Sequence, residues 1–267
     1  MRRRQRLTAM LLSLLITGCT SAPAPAVPTA SPLPTRTMEP AAPDIGRDVR
    51  DVIWIQSPGP ASRVLSPLLV RGEGDPVFEQ SLVARLVGVD GAILAEQPLQ
   101  IQAPLGERGG FELSIPFEVD RDTGALLQVF SLSVLDGGIE HLSSVGITLS
   151  ADGPEMVTTL DDDTERLVLL SPASGSVISD GRLEVTGWGT ASFEGTLLLS
   201  LLGADGQVLD EEILTIAAPE MGQPGEIRAE LTFSVTEAQP GRIVLVDPLP
   251  VFDGIGHVTS VPVVLSP

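Results

Sequence analysis

Side chains able to carry out chemistry are scarce in this 267-residue chain, which holds one cysteine, Cys19, and two histidines, His141 and His257. Nucleophilic catalysis needs a serine or cysteine beside a positioned base, and the sequence has no Gly-x-Ser-x-Gly elbow to provide one. The histidines are too far apart for a zinc-ligand spacing. They also fall at the same place in an internal repeat described below, which reads as a structural role. A phosphate-cradling Gly-Lys motif is excluded, because all 16 basic residues are arginine. The missing lysine also rules out side-chain isopeptide cross-links. No catalytic residue is expected, and the chain reads as something other than an enzyme.

Carboxylates are the remaining donors. Asp152, Glu155, Asp161, Asp162, Asp163 and Glu165 crowd one short stretch, where other tandem β-sandwich proteins bind calcium through carboxylate oxygens. Asp161, Asp162 and Asp163 are therefore candidate metal ligands, with calcium as the cofactor that would stiffen a pair of domains into an adhesin or stalk. No calcium-loop spacing is present, and the plainer reading is a solvated, self-repelling linker. Trp188, between Gly187 and Gly189, is the candidate exposed contact; Trp54 does not hold a matching position. Phe78-Glu79 recurs as Phe193-Glu194. A buried Phe at a strand start accounts for that recurrence, the alternative being a repeated surface anchor.

The role of Cys19 depends on what precedes it. Arg2, Arg3, Arg4 and Arg6 followed by the apolar stretch Leu7 to Ile16 have the make-up of a signal peptide, and the stretch is too short to span a bilayer. Leu15-Ile16-Thr17-Gly18-Cys19 resembles the lipobox of bacterial lipoproteins. The resemblance implies cleavage between Gly18 and Cys19, a diacylglycerol on the thiol, and the membrane as a partner through that lipid. Two acyl chains, at about 0.8 kcal/mol per buried methylene, hold a protein stably. Residues 1–18 are thus a signal peptide and 19–50 the lipidated cysteine with a disordered Pro/Ala-rich tether. Seven prolines fall among residues 20–50, favouring polyproline II segments that would reach on the order of 90 Å if extended. With no second cysteine there is no intramolecular disulfide, so packing alone must hold the folded part. A net charge of −19 repels nucleic acid and anionic headgroups. The expected setting is the extracytoplasmic cell envelope, with an envelope protein or surface polymer as partner.

The elements that must position all this come in duplicate. Residues 52–150 can be laid over 167–266 with Ser57-Pro58 on Ser171-Pro172, Gly72 on Gly187, Asp90-Gly91 on Asp205-Gly206 and Asp136-Gly137 on Asp253-Gly254. His141, Ser144, Val145 and Leu149 likewise match His257, Ser260, Val261 and Leu265. Each copy reads as strands. Phe111, Leu113, Ile115, Phe117 and Val119 alternate with polar or turn residues, as do Ile227, Ala229, Leu231, Phe233 and Val235, a period of two that buries one face. The Asp-Gly pairs between apolar runs predict hairpins with positive φ at both central residues. About seven short strands per copy and no convincing helix predict two tandem immunoglobulin-like β-sandwiches in an all-β chain, over 51–151 and 166–267 with the acidic segment 152–165 between them. The same pattern fits a small barrel.

The order of these pieces resembles the immunoglobulin-like domain of bacterial spore germination proteins. In the first copy it rests on Ile55-Gln56-Ser57-Pro58, Ser66-Pro67-Leu68, Phe78-Glu79, Gly110-Phe111 and Asp136-Gly137. The second departs at Ser179-Asp180 and at Ile227. The resemblance implies the fold and a place among surface and germination-associated lipoproteins, and it brings no catalytic residues. The companion germination domain is not seen, so a role in spores does not follow.

Overall fold

A computed structural model describes residues 49–252 and 254–267. The expectations for Gly18, Cys19 and most of the tether lie outside them. Apart from two single 3-10 turns, Phe78–Gln80 and Pro250–Phe252, the regular structure of the described part is β, eight strands per copy, one more than the pattern suggested. The first copy holds β1 (Ile53–Ser57), β2 (Arg63–Leu65), β3 (Leu68–Gly74), β4 (Ser81–Gly88), β5 (Ile93–Gln100), β6 (Gly109–Ile115), β7 (Thr123–Leu132) and β8 (Ile139–Ser150). The second holds β9 (Leu167–Ser171), β10 (Val177–Ile178), β11 (Arg182–Gly189), β12 (Thr196–Leu202), β13 (Val208–Thr215), β14 (Gly225–Thr232), β15 (Gln239–Leu249) and β16 (Gly254–Leu265). No helix among the described residues is long and apolar enough to cross a membrane.

Within each copy two layers face one another. The sheet β1-β3-β6 covers β5-β4-β7-β8, and β9-β11-β14 covers β13-β12-β15-β16. Phe111, Ile115 and Phe117 of the alternating segment turn into the first core, and Ile227, Leu231 and Phe233 into the second, so period two fulfils its sandwich prediction. The Asp-Gly hairpins are present with a different turn. Positive φ falls on the glycine alone (Gly91 φ 76, Gly206 φ 75), and each Asp side chain instead accepts the N–H two residues on, from Ala92 and Gln207. The neighbouring ladder slips between Leu86 and Val87, and between Leu201 and Leu202. These are type I turns relieved by a glycine bulge.

The larger surprise is that the copies share a sheet. β8 pairs antiparallel with β16, Leu142 opposite Val258 and Ser143 opposite His257, which joins the two four-stranded layers into one ten-stranded sheet with β2 and β10 at its sides. Leu142 and Val258 are repeat-equivalent, so the ladder has a pseudo-two-fold axis through that pair. The side chains obey it. Ser144 Oγ donates to Gly256 O at 2.7 Å and its equivalent Ser260 donates to Glu140 O at 2.9 Å. Phe130, Leu142, Val244 and Val258 close an apolar cluster across the seam.

A second, shorter ladder lies on the same axis. Arg50 bridges Thr164; Asp51 N–H donates to Asp163 O and Glu165 N–H to Val49 O, both at 2.7 Å. The acidic segment is accordingly no free linker. β8 carries the chain away from the seam, and it must return to begin β9 there. It does so along the first copy, exchanging backbone bonds between Met156 and Arg63 and donating from Leu160 to Gln56 O, because those backbone groups would otherwise lack partners.

Because the copies share a sheet, they should unfold together. Trp54 reports the first and Trp188 the second, so Trp54→Phe and Trp188→Phe chains are expected to give coincident urea midpoints by fluorescence. Phe130→Ala should cost about 3–5 kcal/mol on both reporters, and Leu142→Asp should separate the two curves. Distinct midpoints in the otherwise unaltered chains would show that the seam does not couple the copies.

Candidate functional site

The seam encloses the densest group of buried ionisable side chains among the described residues. Asp51 stands just before β1 and Glu165 just before β9, at equivalent places. Each caps the strand that follows: Asp51 Oδ1 accepts from Ile53 N–H and Glu165 Oε1 from Leu167 N–H, both at 3.0 Å. They differ by one methylene, and that length decides the rest. Glu165 also reaches Nε2 of His257 on β16, at 2.5 Å. Asp51 falls short of a histidine and turns to Ser143, whose Oγ donates to Asp51 Oδ2 at 3.0 Å and lies 3.4 Å from His257 Nδ1. One ligand atom from each of Asp51, Glu165 and His257 lies within 4.8 Å of the other two.

Burial and charge contend here. Desolvation dominates at Asp51, only partly offset by His257, and pushes its carboxyl up to about 6. At Glu165 desolvation is outweighed by the attraction and hydrogen bond of His257, so its carboxyl titrates below the usual range. Desolvation opposes the His257 imidazolium, but Glu165 beside it prevails and the pKa rises. His141, the equivalent histidine, makes no hydrogen bond to an acid. Its Nδ1 has no hydrogen-bond partner, and burial holds it down to about 4. Symmetry also breaks at Arg242, whose Nη2 and Nε meet Asp136 Oδ2 at 2.6 and 3.2 Å while Nη1 donates to Ile139 O. Both side chains are almost wholly buried.

The sequence candidates fare differently. Asp161, Asp162 and Asp163 do not converge: Asp161 is exposed, Asp162 caps Thr164 N–H, and Asp163 pairs with Arg50 Nε at 2.7 Å. Each aspartate that has a partner answers to it separately. Trp188 is half-buried on the outer face of its sheet, opposite Val168 and Glu226. Trp54 is opposite Glu73 in the equivalent cross-strand pair, so the two tryptophans occupy opposite sides of one recurring position. The expected burial of Phe78 and Phe193 is wrong. They are 58% and 42% exposed, because Glu79 (φ 53) and Glu194 (φ 49) sit in the left-handed region and turn the chain outward. What enters the first copy there is Gln80, whose Nε2 donates to Pro104 O and Glu107 O. Phe78 borders an open cleft of about 530 Å³ lined also by Val52, Asp75, Pro76, Glu140 and His141.

Sequence reading set the histidines aside and did not single out Asp51. The available signal was their shared repeat position together with an acid, Asp51 or Glu165, two residues before the first buried residue of each β1-type strand.

A family model described as the immunoglobulin-like domain of bacterial spore germination matches residues 52–138 and 167–248. No curated protein matches the sequence. Among solved structures, red sea bream transglutaminase is 11% identical over 81% of this chain and 31% of its own, TM-score 0.26. The titin domains z1z2 in complex with telethonin are 11% identical over 82% and 97%, TM-score 0.21. The N-terminal Ig1-2 module of the Drosophila receptor protein tyrosine phosphatase DLAR is 12% identical over 80% and 98%, TM-score 0.23. The chain thus spans about a third of the transglutaminase.

The site gives a signed pH dependence. Asp51, raised from 3.8 to about 6, contributes stability that is lost as pH rises through 6, worth on the order of 2 kcal/mol. His257, raised from 6.5, contributes below 6.5 and loses its share at still higher pH. Glu165, lowered from 4.5, contributes above 4.5 and loses its share in acid. Thermal unfolding should therefore peak near pH 4.5 and weaken toward pH 8.5. Asp51→Asn should flatten the rise between pH 6.5 and 4.5, and an unchanged slope in that variant would remove Asp51 from the account.

Proposed function

The chain belongs to the family of immunoglobulin-like domains of bacterial spore germination, in two copies; from that premise we propose that it is a non-catalytic, lipid-anchored cell-envelope protein whose fused sandwiches form one binding module. The observation that carries this reading is the shared sheet. A spacer gains length when the chain enters one end of a tandem and leaves by the other. Here the described part begins at the seam, where Val49 and Asp51 pair with the start of the second copy. That arrangement favours presenting two equivalent faces over adding reach. On each copy an exposed aromatic and an exposed valine recur: Phe78 with Val134 (58% and 67% exposed) and Phe193 with Val251 (42% and 71%). Repeated anchors of this kind suit a partner that is itself repetitive, an envelope polymer or oligomeric protein, because two weak contacts on one rigid body reinforce one another.

Cys19→Ser should leave the fold intact while abolishing metabolic labelling by a fatty-acid probe and moving the protein out of the membrane fraction. Phe78→Ala with Phe193→Ala should weaken binding to purified envelopes by more than the sum of the single changes. A Cys19→Ser chain that stays labelled and membrane-bound would refute the anchor, and undiminished envelope binding by the double variant would refute the contact.

A further inference from the structure

We propose that Asp51, Glu165 and His257 form a buried binding site for a divalent transition metal of the zinc type, tying the first copy to the second. The donors come from three places, the approaches to β1 and β9 and the strand β16, and the seam alone brings them within 4.8 Å of one another. All three are nearly buried, at 8, 8 and 2% exposure, which keeps bulk water from the site, and three protein donors leave the fourth position of a tetrahedral ion open. Charge supports the assignment. Two carboxylates with an imidazolium leave one buried negative charge uncompensated, whereas two carboxylates and a neutral imidazole balance a 2+ ion.

The donor set also selects the ion. Calcium asks for six to eight oxygens; a mixed set of one nitrogen and two carboxylates suits zinc at about 2.0–2.2 Å. Ser143 Oγ, donating to Asp51 and 3.4 Å from His257 Nδ1, is placed to orient both ligands from outside. Binding displaces the proton between His257 Nε2 and Glu165 and any proton on Asp51, releasing both to solvent while the Nε2–Oε1 contact opens to admit the ion.

The test uses the full chain, stripped with EDTA while unfolded, then refolded with ZnCl2, with CaCl2 or with neither, and desalted. Zinc is expected to be retained at about one per chain, raising the unfolding midpoint and releasing protons in buffered titrations. Asp51→Asn, which preserves the acceptor for Ile53 and a hydrogen bond to Ser143, should fold like the parent by circular dichroism. It should bind zinc at least about tenfold more weakly, and His257→Gln should retain none. Folded parent chain that retains no zinc overturns the proposal. So does equal retention by a folded Asp51→Asn chain, or a midpoint raised by calcium as much as by zinc.

Discussion

Everything distinctive about this molecule follows from one antiparallel pairing, that of β8 with β16. A sandwich leaves the edges of its sheets with unpaired N–H and C=O groups that invite another strand. Here each copy meets that need at one edge by taking the other copy as its partner, in the isologous geometry of a two-fold dimer built from a single chain. The opposite edges, β5 and β13, carry a different protection. Pro98 and Glu96 interrupt the first, and Asp210, Glu211 and Glu212 line the second, so further growth of the sheet is opposed by a missing donor and by like charge.

The pairing sets the chain path and the chemistry together. Because β8 leaves the seam and β9 must begin at it, the intervening residues run back along the first copy, delivering Glu165 to the axis, diagonal to Asp51 across the Arg50–Thr164 pair. Symmetry then places two acids and two histidines about that axis, and a single methylene breaks it. Glu165 spans from its strand cap to His257, while Asp51 spans only to Ser143 and leaves His141 neutral. The imidazole pKa is thereby raised at His257, where Glu165 outweighs burial, and lowered at His141, where burial prevails.

Much of the fold was legible because it is local or repeated. Period-two alternation around Phe111 and Ile227 needs only the pleat, and the duplication needs only comparison of the chain with itself. The turn type was missed where the Asp90 and Asp205 side chains, bonding to their own backbone, removed the need for two left-handed residues. Phe78 and Phe193 were misread because hydrophobicity suggests burial, whereas the following glutamate's left-handed φ reverses the side chain's direction. The site itself was hidden. His257 meets Glu165 across 92 residues and Ser143 across 114, and no local pattern reports which strand edges join. The repeat alignment contained the clue, since it matched the histidines, but equivalence in sequence says nothing of adjacency in space until a two-fold axis is known.

An apolar seam of this kind has a weakness that its polar contacts address. Leu142 facing Val258, with Phe130 and Val244 beside them, would be nearly as well buried if β16 slid by two residues, because a two-residue slip preserves which face points inward. Hydrogen bonds do not tolerate the slip. Ser144 and Ser260 would lose the Gly256 and Glu140 carbonyls, and Arg242 would leave Asp136, stranding a buried charge on each side at a cost of several kcal/mol. The buried Arg242–Asp136 pair need add little to stability over an apolar pair of the same size. Its effect is on alternatives: it makes the wrong register expensive, and with the register set, the acids and histidine of the seam are held in the one arrangement where they meet.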